Sequence, residues 1–254
     1  MNRLMKRAGA LIDAIRIKTI TQEIRDGREC IVRKRGPGMA PLIRIANLFF
    51  VRAGNPARVC GTPEYWLKWE VDCFKLLNGN EALAFAEPPA TVVTERLPGN
   101  SLVWHLQEGT FREEMLDSAA IELKRVHQLP CPELKGLWSH GDANLTNFLF
   151  DPATGRTRII DFEIVHECTM AAAERHAEDL LVFLQDLVGC IDEERWLPAA
   201  LRFIGSYGQP EVVHHLKAKL VVPGGIPRLW WWIRCNYIGI SEMKARMEAL
   251  RNHL

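Results

Sequence analysis

Apolar and polar positions alternate most regularly near the start of the chain, in "IKTITQEIRDGRECIVRKR". Two alternating arms around Asp26-Gly27 predict a β-hairpin. In its second arm Cys30, Val32 and Lys34 share one face, while Ile31, Arg33 and Arg35 share the other. "RGPG" ends that strand, and "MAPLIRIANLFFVRAG" has the pattern of a short amphipathic helix. The next helix carries its own punctuation, with Thr62 as N-cap, Pro63 at the first helical position and Gly79 past the end. Trp66, Trp69, Cys73, Phe74 and Leu77 form its apolar stripe, and Glu70 lies inside that stripe. "ATVVTERLPGN" predicts a short strand followed by a Pro-Gly break. Beyond it, Thr110 and Glu113 have the spacing of a capping box, with Leu116, Ala120, Leu123 and His127 at helical spacing behind them. "AAERHAEDLLVFLQDLV" reads as another strong helix, and from Glu194 onward the pattern is mainly helical with a break at "VVPGGIP". These elements predict an α+β chain: a small strand-containing lobe over residues 1–97 and a mainly helical lobe over 98–254.

Composition adds limits. The chain has 254 residues, 48% of them hydrophobic and 25% charged, which is ample for a buried core. A formal charge of +1 argues against a dedicated nucleic-acid binder, yet residues 1–60 alone carry +9. That excess is either a solvated basic surface or one that meets phosphates or anionic lipid. The seven cysteines form no CxxC pair, which reads as reduced thiols in a cytoplasmic protein. Asp13 and Arg16 interrupt the apolar start, so a cleaved signal peptide is not expected, and no run approaches the ~20 apolar residues of a membrane span. The expectation is a soluble protein, at most peripheral to a membrane. His214 and His215 are expected on a solvent-facing helix, and Trp230 to Trp232 as core plus one exposed ring.

The candidate chemistry lies in "SHGDANLTNFLFDPATGRTRIIDFE", residues 139–163. Asp142 and Asn147 sit in a loop, and Asp161 ends a strand reached through the turn at "DPATGRTR". Convergence of these three side chains would gather hard oxygen ligands of the kind Mg²⁺ prefers, to be completed by water and phosphate oxygens. A metal holding phosphates beside a spare carboxylate suits phosphoryl transfer.

"HGDANLTNFLF" with the later "IIDFE" resembles the catalytic core of protein-kinase-like enzymes, above all aminoglycoside phosphotransferases and choline/ethanolamine kinases. The resemblance implies a bilobal kinase-like fold that uses ATP and Mg²⁺ to phosphorylate a hydroxyl of a small molecule or sugar. It implies Asp142 as catalytic base, His140 as buttress of its loop, and Asn147 with Asp161 as metal ligands. Asp179 in "AEDLLVFL" matches the helix-borne aspartate that pins that loop. The same family needs an inward-facing lysine held by a helix glutamate. Lys34 and Glu70 are the expected pair, because each is a charge among apolar neighbours; Arg33 is the rival, disfavoured because it points to the other face. "VTERLP" would be the hinge, with the backbone from Glu95 to Leu97 meeting adenine. No Gly-x-Gly-x-x-Gly precedes Lys34, so phosphate binding would rest on the metal and Lys34, helped by Arg25 or Arg28. A nucleotide-binding scaffold without turnover is the reading from a different class. A protein Ser/Thr kinase fits less well, because Glu163 rather than Gly follows Asp161-Phe162. The small lobe has a weaker resemblance to lipopolysaccharide-core sugar kinases.

Overall fold

The computed structural model describes residues 18–235 and 238–254. The basic residues Arg3, Lys6, Arg7 and Arg16 lie outside that range.

The hairpin forms as its alternation predicts. Strand β1 (Lys18–Arg25) pairs antiparallel with β2 (Arg28–Arg35). Asp26 and Gly27 both take positive φ, +50° and +76°, as a two-residue turn matched to strand twist requires. Helix α1 (Ala40–Arg52) and strand β3 (Ala57–Val59) follow. Helix α2 (Pro63–Asn78) has the expected cap, with the Tyr65 N–H donating to Thr62 Oγ1 at 3.2 Å. It packs against the sheet completed by β4 (Ala84–Glu87) and β5 (Thr91–Glu95), whose strand order is β1-β2-β5-β4.

The rest of the chain is mainly helical. β6 (Asn100–Ser101) leads into α3 (Leu102–Gln107) and α4 (Glu113–His127), followed by the small β7–β8 hairpin (Pro130–Cys131, Gly136–Leu137). β9 (Phe148–Asp151) and β10 (Arg156–Ile159) pair with each other, and β9 also pairs with β6. β11 (Ile164–His166) pairs with β3, joining the segment after Asp161 to the chain between α1 and α2. Helices α5 (Ala172–Cys190), α6 (Glu193–Tyr207), α7 (Pro210–Lys219), α8 (Gly225–Arg234) and α9 (Ile240–His253) complete the α+β architecture.

The capping box does not form. Helix α4 starts after Arg112 without a side-chain cap, and the Thr110 hydroxyl lies 2.9 Å from His105 Nδ1 instead. His105 is buried on α3, so it offers Thr110 a partner that the linear spacing could not reveal. Of the three tryptophans, Trp231 is buried and Trp230 and Trp232 are half-buried. His214 is exposed and His215 half-buried.

One apolar cluster runs through α2, α4, α5, α6 and α9. At its centre Phe183 stacks on Phe203 at 3.9 Å and meets Phe148 edge-on at 5.1 Å. The strands that carry the candidate site therefore rest on a close-packed base. Among the described residues no helix is long and apolar enough to cross a membrane.

Gly99 makes the turn from β5 into β6 with φ of +96°, and a Cβ there would stand 2.3 Å from the Phe150 carbonyl oxygen. Gly99→Ala is expected to lower unfolding free energy by ~2–4 kcal/mol, measured by urea titration. Gly109 has φ of +68° in open space, so Gly109→Ala is the control for backbone strain alone. Equal losses for the two variants would show that Phe150 yields freely.

Candidate active site

The loop before β9 is held from below by one carboxylate. Asp179, on α5 and fully buried, accepts from the backbone N–H of His140 at 2.7 Å and of Gly141 at 2.8 Å. His127 Nε2 reaches the same carboxylate at 3.0 Å, and its Nδ1 lies 2.8 Å from the Tyr207 hydroxyl. Burial works against the charge on Asp179, but His166 and His127 beside it outweigh burial and hold its carboxyl well below the usual range. Gly141 has φ of +84°, and a Cβ would lie 2.7 Å from the Ile164 oxygen, so the loop passes where no other residue fits.

His140 ties this loop to the strand that leads to Asp161. Its Nδ1 accepts from the Asp142 N–H at 3.1 Å, so its Nε2 donates to the Ile160 carbonyl at 3.0 Å. The Asn147 side-chain amide donates to the Asp142 carbonyl at 2.9 Å, leaving its oxygen as the free end. Asp161 takes φ of +69° and, with Asn147, lines one cleft. Asp142 Oδ2 accepts from Asn144 at 2.9 Å, and its Oδ1 is 3.1 Å from an Arg234 nitrogen.

Lys34 and Glu70 do not meet. Lys34 is exposed, whereas Glu70 is buried and accepts from Trp66 Nε1 at 3.2 Å and from the Phe162 N–H at 3.3 Å. The cleft face of β2 carries Ile31 and Arg33, matched across the hairpin by Gln22 and Ile20. Cys30 and Val32 belong to a separate cluster with Val93 on the opposite face, and those apolar neighbours made Lys34 look inward.

The lysine at the site is Lys18. It pairs with Arg35 across the hairpin, bonds Asp161, and lies 3.3 Å from Glu163. Burial alone would strip its proton, but Asp161, Glu163 and Glu70 prevail and hold the ammonium well above its ordinary value. Burial also opposes ionisation of Asp161, yet Lys18 and Arg33 keep that carboxyl below its ordinary range. Arg35 lies 4.5 Å over the Trp66 ring and 3.8 Å from Glu163. Glu163 therefore faces two cations of its own chain. Burial, with Asp161 and Glu70 nearby, raises its carboxyl to about 7. Position along the hairpin carried only part of the signal for Lys18: counting back from the turn puts it on the face of Arg33 and Arg35, opposite to that of Lys34. Arg25 and Arg28 are engaged at the hairpin tip, Arg25 with Glu23 at 2.8 Å and Arg28 with Glu95 at 4.0 Å.

The cleft between the sheet and this loop encloses about 340 Å³ and is lined by Ile20, Arg33, Glu95, Leu97, Asn147 and Asp161, among others. That volume lies in the range of small-ligand sites. Along the edge formed by residues 95–97 the Glu95 N–H is bound by the Leu83 carbonyl and the Arg96 N–H by the Glu29 carbonyl, both at 2.8 Å. A second cavity of about 270 Å³ touches the same loop at Gly141 and is lined by Gln185, Trp231 and Arg234.

No protein-family model matches the sequence, and no curated protein matches it either. Among solved structures the chain is similar to WaaP in complex with acyl carrier protein, at 16% identity over 93% of this chain and 86% of that one, with a TM-score of 0.44. It is also similar to aminoglycoside-3'-phosphotransferase of type VIII, at 14% identity over 93% and 100% of the two chains, TM-score 0.44. Plasmodium vivax ethanolamine kinase is a third, at 8% identity over 98% and 94%, TM-score 0.44.

Burial lowers His166 to about 4 and His176 to about 3. Both values lie below the unfolded one, so their stabilisation is complete above pH ~6.5 and is lost as pH falls toward about 4. His166 is expected to contribute about 3 kcal/mol of that change. Glu163 acts in the opposite sense, because the fold retains its proton up to about 7. The comparison is therefore between wild type and His166→Asn, by urea unfolding at several pH values. The variant is expected to lose about one proton's worth of slope between those limits; identical slopes would place a charged imidazole in the core.

Proposed function

We propose that this chain is a phosphotransferase that moves the terminal phosphoryl group of ATP to a hydroxyl of a small molecule or sugar, with Mg²⁺ as its metal. The observation that carries the reading is the convergence of Asn147 and Asp161 on one cleft beside Asp142, on a loop fastened by Asp179. Residues 1–97 would form the nucleotide-binding lobe and residues 98–254 the catalytic one.

The donor set fits the metal. Among the described residues no three His, Cys, Asp or Glu side chains gather as a self-sufficient metal site. Asn147 and Asp161 would instead supply two hard oxygens, with water and phosphate oxygens completing the shell. The bound ion would neutralise phosphate charge during transfer. Lys18 and Arg33 are the cations of this chain that face the phosphates, in place of Lys34. Since the Glu95 and Arg96 N–H groups already have carbonyl partners, the Leu97 N–H is the hinge donor left for adenine. Asp142 orients the acceptor hydroxyl and takes its proton. The acceptor oxygen bonds to the terminal phosphorus as the bond to the ADP oxygen breaks, the electron pair leaving with ADP. His140 keeps Asp142 and Asp161 in fixed relation through its two ring nitrogens.

One feature favours a membrane-bound acceptor as a second reading. Helix α1 leaves Leu42, Ile45, Leu48 and Val51 exposed (40%, 64%, 53% and 54%), with Arg44 and Arg52 exposed between them. The turn after this helix, at Ala53 and Gly54, lines the second cavity. An apolar helix face flanked by arginines suits the interface of an anionic bilayer.

Two measurements follow. Asp142→Asn is expected to cut turnover by ~10²–10⁴ while sparing Mg²⁺-ATP binding, whereas Asp161→Ala is expected to weaken that binding at least tenfold. Titrating ATP calorimetrically with and without Mg²⁺ separates them, and binding that ignores both the metal and Asp161 would sink the proposal. Full Mg²⁺-ATP affinity without phosphoryl transfer to any acceptor would favour the scaffold reading. For the second reading, co-sedimentation with phosphatidylserine vesicles is expected to weaken when Ile45 and Leu48 are replaced by Ser. Binding unaffected by that double change would remove α1 from the contact.

A further inference from the structure

Large apolar side chains left exposed on this chain are gathered rather than scattered. Among the described residues, nearly half of them lie in two short segments, α1 and the stretch from Val221 through α8. On α1 the ridge of Leu42, Ile45, Leu48 and Val51 recurs every third residue along one side, while Ile43 and Phe50 are buried. On α8 Ile226 and Leu229 repeat that spacing, with Trp231 buried and Val221 exposed just before the helix. Single exposed apolar residues need no explanation, but a contiguous set marks a contact.

The two segments belong to one surface. Trp230 of α8 packs against Phe50 at 4.7 Å and Phe49 at 5.9 Å, so an aromatic contact joins the helices. Both also border the cavity of about 270 Å³, α1 through the turn at Ala53 and Gly54, and α8 through Pro227 with Val221 beside it. The charge on this surface has one sign. Arg44, Arg52 and Arg228 are exposed, and neither helix contains an Asp or Glu. Glu178, which lines the cavity, is paired with Lys219, and Glu167, whose N–H bonds Pro56 on the same cavity, is paired with Arg58. Two copies meeting through this face would set arginines against arginines. Anionic headgroups answer those charges directly, and the apolar ridges fit the acyl boundary beneath them.

We propose that α1 and α8 together form a two-helix docking surface for an anionic bilayer, with the rim of the cavity between them held against the headgroup layer. A single amphipathic helix sets depth but leaves the protein free to roll about the helix axis, and a second helix fixes the orientation. Gly141 lines the same cavity, so the docked side is the side on which the loop of Asp142 lies. The proposal rests on the membrane reading of α1 and extends it to α8.

The test is co-sedimentation of the full chain with vesicles of phosphatidylserine and phosphatidylcholine. Wild type is expected to bind the mixed vesicles and to lose most of that binding on pure phosphatidylcholine. Ile226→Ser with Leu229→Ser is expected to weaken binding about tenfold or more, as Ile45→Ser with Leu48→Ser does. Arg44→Gln, Arg52→Gln and Arg228→Gln combined should weaken it on the order of a hundredfold. Circular dichroism melts separate misfolding from lost binding. Amide hydrogen exchange on wild type needs no variant: vesicles should slow exchange in residues 40–52 and 221–230 together. Loss of binding in the α1 variant but not the α8 variant, or protection confined to residues 40–52, would overturn the two-helix surface and leave the membrane reading of α1 standing. No binding by wild type would overturn both, and the phosphotransferase reading would keep its own test. Equal binding to pure phosphatidylcholine would overturn the choice of an anionic bilayer. A dimer in light scattering that these substitutions dissociate, without vesicle binding, would assign the face to a second copy and overturn the proposal.

Discussion

A single buried carboxylate organises the site. Asp179 accepts two consecutive backbone N–H groups of the loop, at His140 and Gly141, and a third hydrogen bond from His127. A carboxylate with no exposure is tolerable only when its oxygens are fully engaged. The helix that bears it is also the most deeply packed, with Phe183 stacked between the rings of other elements. The position of the loop is therefore inherited from the hydrophobic core. His140 passes it on to the strand before Asp161 through the Ile160 carbonyl.

The second constraint is electrostatic. Glu70, Asp161 and Glu163 come together with Lys18, Arg33 and Arg35 beside them, and one oxygen each of Glu70 and Glu163 is buried without a hydrogen-bond partner. Those two oxygens are the part of the cluster whose charge is left without a hydrogen-bond partner. Helix α2 contributes beyond its charge, since Glu70 bonds the Phe162 N–H and fixes the backbone next to Asp161.

How much of this could be read from the chain follows from distance along it. Asp142, Asn147 and Asp161 lie within one short stretch; bringing Asn147 and Asp161 to one cleft needs only a turn and a strand pair, whereas the Asp142 carboxylate is engaged by Arg234. The α2 stripe and its Thr62 cap are local features as well, and both form. Lys34 failed because alternation says which residues share a face but not which face meets the cleft. That was decided by β5 and α2, whose packing put Arg33 rather than Lys34 inside. Lys18 is one of many basic residues in the first 60, and only the register set by the Asp26-Gly27 turn places it opposite Arg35. Arg234 had no local signal, because its partner Asp142 lies far earlier in the chain. Thr110 shows the converse case, a capping pattern overridden by a tertiary neighbour.

If residues 95–97, the loop and the Asp161 strand are parts of one nucleotide-binding cleft, as proposed, they should respond to nucleotide together. Amide hydrogen exchange tests it most directly, comparing the chain alone, with Mg²⁺, with ATP, and with both. The account predicts protection in residues 95–97, 142–147 and 160–163 together, full only when Mg²⁺ and ATP are both present. Protection confined to one of these segments, or unchanged by Mg²⁺, would contradict it.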